Sequence, residues 1–386
     1  MSFDSDNEKE ETLIYMTYDE NGYPVWHSQM TSEENTERAT CIVPPDHVLP
    51  VIFIPGIMGS NLRTKGGKYG DTGDEGRTWR PDDSNYTALE FGKKNPAERR
   101  ATLDPEKSEL DDRGEIKIPG VFINTLDGPT SDKIKHGLKE EFRRRRWGTV
   151  MLSSYQDIMI NLEVNLNRIY DPQYHQVPAD IARYWKKDII DFEQKSNKLW
   201  KPTQPWGEFI KGYKDLNIED LKNAGDKYWF PVHGGGYNWL ASNEDSGKKL
   251  AEQAKEMIQH YKDLGFFCDK VILVTHSMGG LVARAMCHPE MGGAADIVAG
   301  VVHGEQPSLG AAAAYKRMHA GFEARCWNIK ELLTARALGW SGEEVTTVFA
   351  NSPGILISPR SSTSDDSVSS VARRSIGSWF ANVHAV

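Results

Sequence analysis

Ser277 lies in a sequence pattern that is typical of a nucleophilic serine. Val271-Ile-Leu-Val is an apolar run of the kind found in buried strands, and Gly279-Gly280 opens a helix directly after the serine turn. A sharp turn between strand and helix lifts a serine hydroxyl above the sheet edge, and small neighbours let the two backbones approach closely. Thr275 stands where the usual G-x-S-x-G pattern has glycine. The pattern predicts a nucleophile at Ser277, and the alternative is an ordinary turn with a helix-capping serine.

Two backbone amides are predicted to stabilise the negative charge that a serine attack creates. The first is the Met278 N–H, which follows the nucleophile at the start of a helix, where the helix dipole favours negative charge. The second is the Ile57 N–H in the glycine-lined turn Ile54-Pro-Gly-Ile-Met-Gly-Ser60, at the end of another apolar run. Together these amides would form an oxyanion hole. A simple Pro-Gly turn is the alternative for the second loop.

A serine nucleophile also needs a histidine to accept its proton and an acid to orient that histidine. His303 follows the strand after the Ser277 helix and is our candidate base, but the one plausible acid between Ser277 and His303, Asp296, is predicted at the far end of that strand. His276 adjoins the serine, and consecutive side chains of a strand point to opposite faces. For both histidines a packed or hydrogen-bonding role is the alternative.

A second acid and base pair occurs close to the end of the sequence. Asp365 or Asp366 with His384 keeps the order serine, acid, histidine that accompanies this kind of turn. This pair lies in a serine-rich segment without apolar periodicity, and a base must be held within hydrogen-bonding reach of its serine. The sequence therefore identifies a nucleophile but not its acid and base.

The elements that must position Ser277 are predicted to form a parallel sheet. Four apolar runs rich in β-branched residues are predicted strands, at 48–54, 228–232, 270–274 and 297–302. An amphipathic helix over about 242–264, with a capping pattern at its start, and the helix after Ser277 separate the last three of them. Alternating strands and helices predict an α/β fold with a mostly parallel sheet and flanking helices.

Composition divides the chain into three parts. Residues 1–45 are a polar lead-in, 46–354 form the core, and 355–386 are serine-rich and predicted to be disordered. Within the core, about 61–226 reads as a large insertion with one clear amphipathic helix between Met151 and Ile169. We interpret it as a cap or lid that meets a membrane surface, or that uses its tryptophans as its own core: Trp79, Trp147, Trp185, Trp200 and Trp206.

Charge and motif content exclude several classes of function. The formal net charge of −9 disfavours a protein that binds nucleic acid through phosphate contacts. Nucleotide, dinucleotide and zincin motifs and C-x-x-C pairs are absent, so no metal or organic cofactor is expected. No apolar run is long enough to cross a bilayer, and the acidic start is unlike a signal peptide, which predicts a cytoplasmic protein. The run Arg143 to Arg146 is interpreted as a solvated helix face rather than a lipid-headgroup or partner patch.

Three stretches resemble the lecithin:cholesterol acyltransferase and GPI inositol-deacylase-like branch of the α/β-hydrolases: Phe53-Ile-Pro-Gly-Ile-Met-Gly-Ser60, Gly236-Tyr-Asn-Trp-Leu240 and Thr275-His-Ser-Met-Gly-Gly-Leu-Val-Ala-Arg284. The insertion and Val302-His-Gly-Glu-Gln-Pro307 are most similar to bacterial lipase effectors delivered by type VI secretion. The resemblance covers about 48–354. It implies an α/β-hydrolase fold and a serine acyl hydrolase of membrane lipids without a cofactor at the nucleophile.

These observations predict a phospholipase-like serine lipase or esterase that cleaves carboxylic esters of membrane lipids through an acyl-enzyme on Ser277. The resemblance adds the expectation of an antibacterial effector, exported without a signal peptide, with secretion-spike and immunity proteins as partners. The alternative is a shortened, inactive hydrolase-like protein, because the serine-rich tail supplies neither further buried strands nor a secure acid and base. A hydrolase of small esters or thioesters is a third possibility.

Overall fold

The computed structural model describes residues 11–14, 17–19, 24–25, 38–41, 45–66, 76–118, 129–167, 218–322, 335–336 and 339–356. The strands are β1 Glu11–Ile14, β2 Thr17–Tyr18, β3 Pro24–Val25, β4 Arg38–Cys41, β5 His47–Val48, β6 Val51–Ile54, β7 Leu62–Thr64, β8 Arg77–Trp79, β9 Ser108–Leu110, β10 Tyr228–Trp229, β11 Val232–Gly234, β12 Val271–His276 and β13 Val298–Gly304. The helices are α1 Ser84–Gly92, α2 Pro96–Thr102, α3 Pro129–Arg144, α4 Asp157–Asn167, α5 Ile218–Lys227, α6 Asn243–Asp263, α7 Gly279–Cys287, α8 Ala312–Ala320, α9 Gly342–Phe349 and α10 Pro353–Leu356.

The central sheet has four parallel strands in the order β11-β6-β12-β13. This arrangement confirms the prediction of an α/β fold with a mostly parallel sheet. Smaller sheets are the parallel pairs β1–β4 and β5–β10, the antiparallel pair β2–β3 and the antiparallel sheet β8-β7-β9. The pair β1–β4 lies within the segment expected to be a polar lead-in. In the central sheet, β6 lies between β11 and β12, so the loop that follows it reaches the same edge as Ser277.

Two predicted strands are each interrupted by a proline. The run 48–54 divides into β5 and β6 at Pro50, and the run 228–232 divides into β10 and β11 at Pro231. Proline has no N–H to donate to a ladder, so the regular pairing stops at these positions. Flanking amides keep the strands together, because Val51 N–H donates to the Pro231 carbonyl at 2.9 Å and Ile272 N–H donates to the Pro50 carbonyl at 2.8 Å.

Strand β6 is buried on both faces of the sheet. Ile52 and Ile54 belong to one apolar cluster, which includes residues of α6 and α7. Val51 and Phe53 belong to a second cluster, which includes Trp147 and residues of α3 and α4. Alternate side chains of a strand point to opposite faces, so this division places one helical layer on each side of the sheet.

The helix α6 forms part of the first layer and begins and ends as predicted. Its N-cap is Ser242, whose side chain accepts a hydrogen bond from the Asp245 N–H at 3.0 Å. It is followed by Leu264 and by Gly265, which has φ +90°. A left-handed residue just after a helix is typical of glycine, because glycine has no Cβ to clash in that conformation.

The described part of the insertion supplies the second layer. The helix predicted between Met151 and Ile169 begins with the π-helical turn Leu152–Gln156 and continues as α4, while Ile169 lies outside the described residues. Trp79 and Trp147 are buried, which contradicts a membrane-facing role for these two and agrees with the alternative that they form a core. The other predicted lid tryptophans, Trp185, Trp200 and Trp206, lie outside the described residues.

The interpretation of Arg143 to Arg146 as a solvated helix face is wrong for Arg145. Its side chain is only 1% exposed, and it forms ion pairs with Glu141 at 2.7 Å and with Glu163 at 2.9 Å. Glu163 also accepts the Val232 N–H at 2.6 Å. Buried charges are found where partners satisfy them, and here the partners join α3, α4 and β11.

In the described residues, no helix combines the length and apolar character needed to cross a membrane.

Candidate active site

Ser277 occupies a strained turn between β12 and α7. Its φ of 50° lies in the left-handed region, which is uncommon for a residue with a side chain. Ser277 N–H donates to the Gly304 carbonyl at 2.6 Å, and the Ser277 carbonyl accepts the Gly280 N–H at 3.0 Å. These bonds hold the turn against both the neighbouring strand β13 and the first turn of α7. The geometry is that of a strand-turn-helix with serine at its apex.

Two glycines allow the close packing that this turn needs. A Cβ on Gly279 would lie 2.5 Å from the carbonyl oxygens of both Ile54 and Pro55, so α7 approaches the end of β6 more closely than any other residue permits. A Cβ on Gly56 would lie 3.1 Å from the Ser277 Cβ. The loop after β6 therefore passes directly beside the serine.

This loop, which we call the Gly56–Gly59 loop, is a tight turn held by three residues of the insertion. Gly59 N–H donates to the Gly56 carbonyl at 3.1 Å, and Met58 has φ 63°. Three bonds attach the loop to the insertion: Trp79 Nε1 to the Met58 carbonyl at 2.9 Å, Met151 N–H to the Gly59 carbonyl at 2.9 Å, and Gly56 N–H to the Tyr155 hydroxyl at 3.2 Å. Residues of the insertion therefore fix the shape of the loop.

The two amides predicted for an oxyanion hole have no acceptor of their own. Within the described part of the chain, neither Ile57 N–H nor Met278 N–H donates a hydrogen bond. Met278 is 5% exposed and immediately precedes α7. A buried N–H without an acceptor costs free energy, and an oxyanion placed there would satisfy it.

His276 is bound on the side of the sheet opposite to α7. Its Nδ1 lies 2.9 Å from the Tyr155 hydroxyl, and its Nε2 lies 3.8 Å from Glu305 Oε2. Burial lowers the pKa of His276, and the Glu305 carboxylate opposes this. Because Tyr155 accepts the Gly56 N–H, its own hydroxyl can donate to the neutral imidazole. His276 therefore connects the strand of the nucleophile to the Gly56–Gly59 loop.

His303 lies on the same side of the sheet as α7. Its Nδ1 is 2.9 Å from the Thr275 hydroxyl, and Thr275 and His303 are paired across β12 and β13. A Cβ on Gly280 would lie 3.0 Å from the His303 Nδ1, so the ring packs on the first turn of the helix. Burial lowers the pKa of His303, and the charge of Arg284 lowers it further. The imidazole is therefore neutral near pH 7 and can accept a proton.

Asp296, the remaining candidate acid among the described residues, lies apart from Ser277. Asp296 is exposed in the turn before β13 begins, whereas Ser277 follows the end of the adjacent parallel strand. Asp365, Asp366 and His384 lie outside the described residues. In the described ranges, the Ser277 hydroxyl is hydrogen-bonded to neither His276 nor His303.

Local sequence patterns do not mark two residues of the site, Tyr155 and Trp79. Tyr155 lies in the helix predicted between Met151 and Ile169 and Trp79 in the predicted cap or lid, and in the structure both form hydrogen bonds to the Gly56–Gly59 loop. The available signal was chemical, because buried tyrosine hydroxyls and indole N–H groups usually find a partner. Across the residues that the structure describes, no group of three or more His, Cys, Asp or Glu side chains is placed to hold a metal ion.

No protein-family model and no curated protein matches the chain. Among solved structures, it is similar to a chain of the crystal structure of the Tle4–Tli4 complex, with 32% sequence identity and a TM-score of 0.58. The match covers 80% of this chain and 53% of that chain. The protein therefore spans about half the length of the structure it resembles.

Proposed function

We propose that the protein is a serine hydrolase that cleaves carboxylic esters through an acyl-enzyme on Ser277. The observation that carries this proposal is the strained turn at Ser277, with its φ of 50°, beside two amides that have no acceptor among the described residues. Backbone strain of this kind persists where the surrounding structure enforces it, and it places a hydroxyl above the sheet edge. The similarity to a chain of the Tle4–Tli4 complex supports a lipase-like function.

The proposed reaction begins when Ser277 Oγ attacks the ester carbonyl carbon. The oxygen of that carbonyl then takes negative charge beside the Ile57 and Met278 amides. The serine proton passes to a base and then to the alcohol that leaves. Water attacks the resulting acyl-enzyme, the acid departs, and Ser277 regains its proton. We assign the base to His303, whose Nδ1 is oriented by Thr275 and whose ring is neutral.

The proposed substrate is a lipid ester at a membrane surface, on the basis of the sequence resemblance to lipase effectors. The similar chain was solved in a complex of two proteins, Tle4 and Tli4. By analogy, we propose that this protein also has a protein partner of the immunity type. The same proposal includes membership of the lecithin:cholesterol acyltransferase and GPI inositol-deacylase-like branch of the α/β-hydrolases. It also includes a lid formed by the insertion and export without a signal peptide.

A second candidate function is that of an inactive, hydrolase-like protein. It is favoured by one observation: both histidines near Ser277 are hydrogen-bonded to other side chains, His276 to Tyr155 and His303 to Thr275. In this case the turn is retained for folding, and the serine is not activated.

Labelling with a fluorophosphonate, which reacts with activated serines, tests the proposal. We expect the full chain to be labelled and Ser277→Ala to be unlabelled, whereas Ser153→Ala, which changes an exposed serine, leaves labelling unchanged. His303→Gln should reduce labelling strongly and His276→Gln much less. Absence of labelling on a folded sample would favour the inactive protein. Release of fatty acid from phospholipid vesicles, compared with short soluble esters, then identifies the substrate class.

A further inference from the structure

A pocket of about 490 Å³ lies between β7, β9 and the end of α3. None of its residues contacts the turn at Ser277 or the Gly56–Gly59 loop through the bonds described above. The lining contains four arginines, two acids and one leucine: Arg63, Arg143, Arg144, Arg146, Asp112, Glu140 and Leu110. The formal charge of these side chains is positive, although the protein as a whole is acidic. Positive charge concentrated in a concave site attracts anions.

Two of the four arginines already have carboxylate partners. Arg63 lies 2.8 Å from Glu109, and Arg144 lies 2.7 Å from Glu141. The other two form no ion pair within 4 Å among the described residues. Arg143 donates only to the backbone carbonyl of Asp112, at 3.3 Å. Most donors of two guanidinium groups are therefore open to a ligand.

Arg146 is fixed in the pocket by its backbone. It has φ 64°, and its carbonyl accepts the Thr149 hydroxyl at 2.6 Å. A Cβ on Gly234 would lie 2.3 Å from this carbonyl, so the approach of the two segments depends on that glycine. Several contacts thus enforce a conformation that is unfavourable for arginine.

The Arg146 side chain lacks compensation for its burial. Its Nε is buried and has no hydrogen-bond acceptor in the described part of the chain. Burial lowers the pKa of Arg146, and the charges of Asp112 and Glu256 only oppose this effect from a distance. Leaving a buried donor unsatisfied costs free energy, so the position of the Arg146 guanidinium at the pocket is unfavourable in the ligand-free protein.

We propose that this pocket binds a phosphate group, either of a soluble phosphate ester or of a phospholipid headgroup. A carboxylate has two oxygens, and in Glu141 each of them already contacts a different arginine, Arg144 or Arg145. A terminal phosphate has three peripheral oxygens, so it can accept from the forks of Arg143 and Arg146 together. The proposal does not depend on Ser277 and holds for an active or inactive protein.

The test measures binding to the full chain and to four variants. Arg143→Gln and Arg146→Asn remove the two unpaired charges, and asparagine tolerates the positive φ at position 146. Asp112→Asn removes a negative charge that repels an anionic ligand, so this variant should bind the probe more tightly. Arg100→Gln is the matched control, because Arg100 is an exposed arginine of α2 outside the pocket. The probes are glycerol 3-phosphate, titrated calorimetrically, and vesicles of phosphatidylglycerol, assayed by sedimentation.

We expect about a tenfold loss of affinity in Arg143→Gln and in Arg146→Asn, as for loss of a charge-assisted hydrogen bond. Asp112→Asn should bind several-fold more tightly, and Arg100→Gln should bind as the unchanged protein does. If Arg146→Asn does not fold, the proposal is tested by the other two pocket variants: Arg143→Gln should weaken binding of the probe and Asp112→Asn should strengthen it. Binding of glycerol 3-phosphate identifies a soluble ester, and binding of vesicles alone identifies a headgroup.

The proposal is overturned if neither probe binds the folded protein. It is also overturned if both probes bind with affinities that the three pocket variants leave unchanged. An acidic peptide such as polyglutamate, tested in parallel, gives a third decisive result: if it binds the pocket and phosphate does not, the site serves an acidic protein segment and the assignment to phosphate is wrong.

Discussion

Thr275 replaces the glycine expected two residues before the serine, and the structure gives its hydroxyl a partner. Thr275 Oγ1 and His303 Nδ1 are 2.9 Å apart, and Thr275 is 2% exposed. In the proposed mechanism Nδ1–H of His303 donates to Thr275 Oγ1, and this tautomer of the neutral ring leaves Nε2 unprotonated and able to accept a proton. In the proposed mechanism the threonine takes over the orienting role that an acid has in other serine hydrolases.

We predict that Thr275→Val lowers the free energy of unfolding by about 1–2 kcal/mol, because it keeps the shape of the side chain but removes a buried hydrogen bond. Chemical denaturation measures this change. If His303 is the base, the rate of fluorophosphonate labelling also falls, since the ring loses its orientation. Thr275→Ser keeps the hydroxyl, so its free energy of unfolding and its rate of labelling should stay close to those of the unchanged protein. Equal stability of Thr275→Val and the unchanged protein would show that the bond contributes nothing.

At the scale of residues, the sequence predicts those features of the site that depend on residues adjacent in the chain. The turn at Ser277, with Met278 and Gly279 after it, is encoded within a few residues and is present in the structure. Tyr155 reaches Gly56 and His276 from 99 and 121 residues away, and no local pattern marks such a contact. The pairing of Thr275 with His303 likewise depends on the register of β12 and β13.

At the scale of elements, the position of the nucleophile depends on how closely α7 packs against β6. The α-carbon of Gly279 faces the carbonyl oxygens of Ile54 and Pro55, with no space for a methyl group between them. Interiors are packed to the density of organic crystals, so the backbones must separate to admit one. Such a shift would move Ser277 and the Gly56–Gly59 loop apart.

We predict that Gly279→Ala lowers the free energy of unfolding by about 1–3 kcal/mol, as overpacking does. Alanine is the better helix former by about 1 kcal/mol, so steric strain must exceed this gain. The matched control is Gly300→Ala in β13, where an added Cβ meets nothing within 4 Å and the change should be within about 0.5 kcal/mol. Equal stability of the two variants in denaturant would contradict the close approach.

The contact between the insertion and the sheet rests on a buried ionic group. Arg145 pairs with Glu141 and Glu163, and all three side chains are at most 8% exposed. Burial raises the pKa of Glu163, whereas the charge of Arg145 acts in the opposite direction. The arginine thus supplies a countercharge to Glu163 in a poorly solvated place.

We predict that Arg145→Met destabilises the fold by about 3–5 kcal/mol, because it leaves the buried Glu163 carboxylate without its cation. Adding Glu163→Gln to this variant should recover part of the loss, since the amide carries no charge. Arg100→Met, at an exposed position, is the control and should have little effect. Thermal unfolding followed by circular dichroism measures all three. A loss below about 1 kcal/mol in Arg145→Met would mean that water solvates the carboxylates.

Sequence periodicity predicted the strands and helices of the central sheet but not their layering. Apolar runs identified β6 and β12, whose residues are largely buried, and also the edge strand β13, where Val301 and Val302 are exposed. The charged and tryptophan-rich composition of 61–226 predicts a cap, and its described helices α3 and α4 contribute to the apolar cluster on one face of the sheet. Glu141 and Glu163 are buried there beside Arg145, and composition does not show such pairing of distant residues.

At the scale of the whole molecule, four histidines are held neutral by the fold. Burial is the leading cause of a lowered pKa for each of them: His233, His260, His276 and His303. They lie in strands β11, β12 and β13 and in helix α6, so they span both sides of the sheet. His233 is fully buried, and its Nε2 is 2.9 Å from the Tyr261 hydroxyl. Its pKa is lowered well below the usual value, by burial first and then by Arg145.

Acid should therefore destabilise the whole fold, starting at mild pH. Below about pH 6.5 the unfolded chain binds a proton at position 233 that the folded protein does not, so the free energy of unfolding falls by about 1.4 kcal/mol for each pH unit from this histidine. Denaturant unfolding between pH 7.5 and about 5 measures the slope. His233→Gln should reduce the slope by one proton. An unchanged slope in His233→Gln would mean that His233 binds its proton equally in both states, and the acid sensitivity would then have to come from the other three histidines.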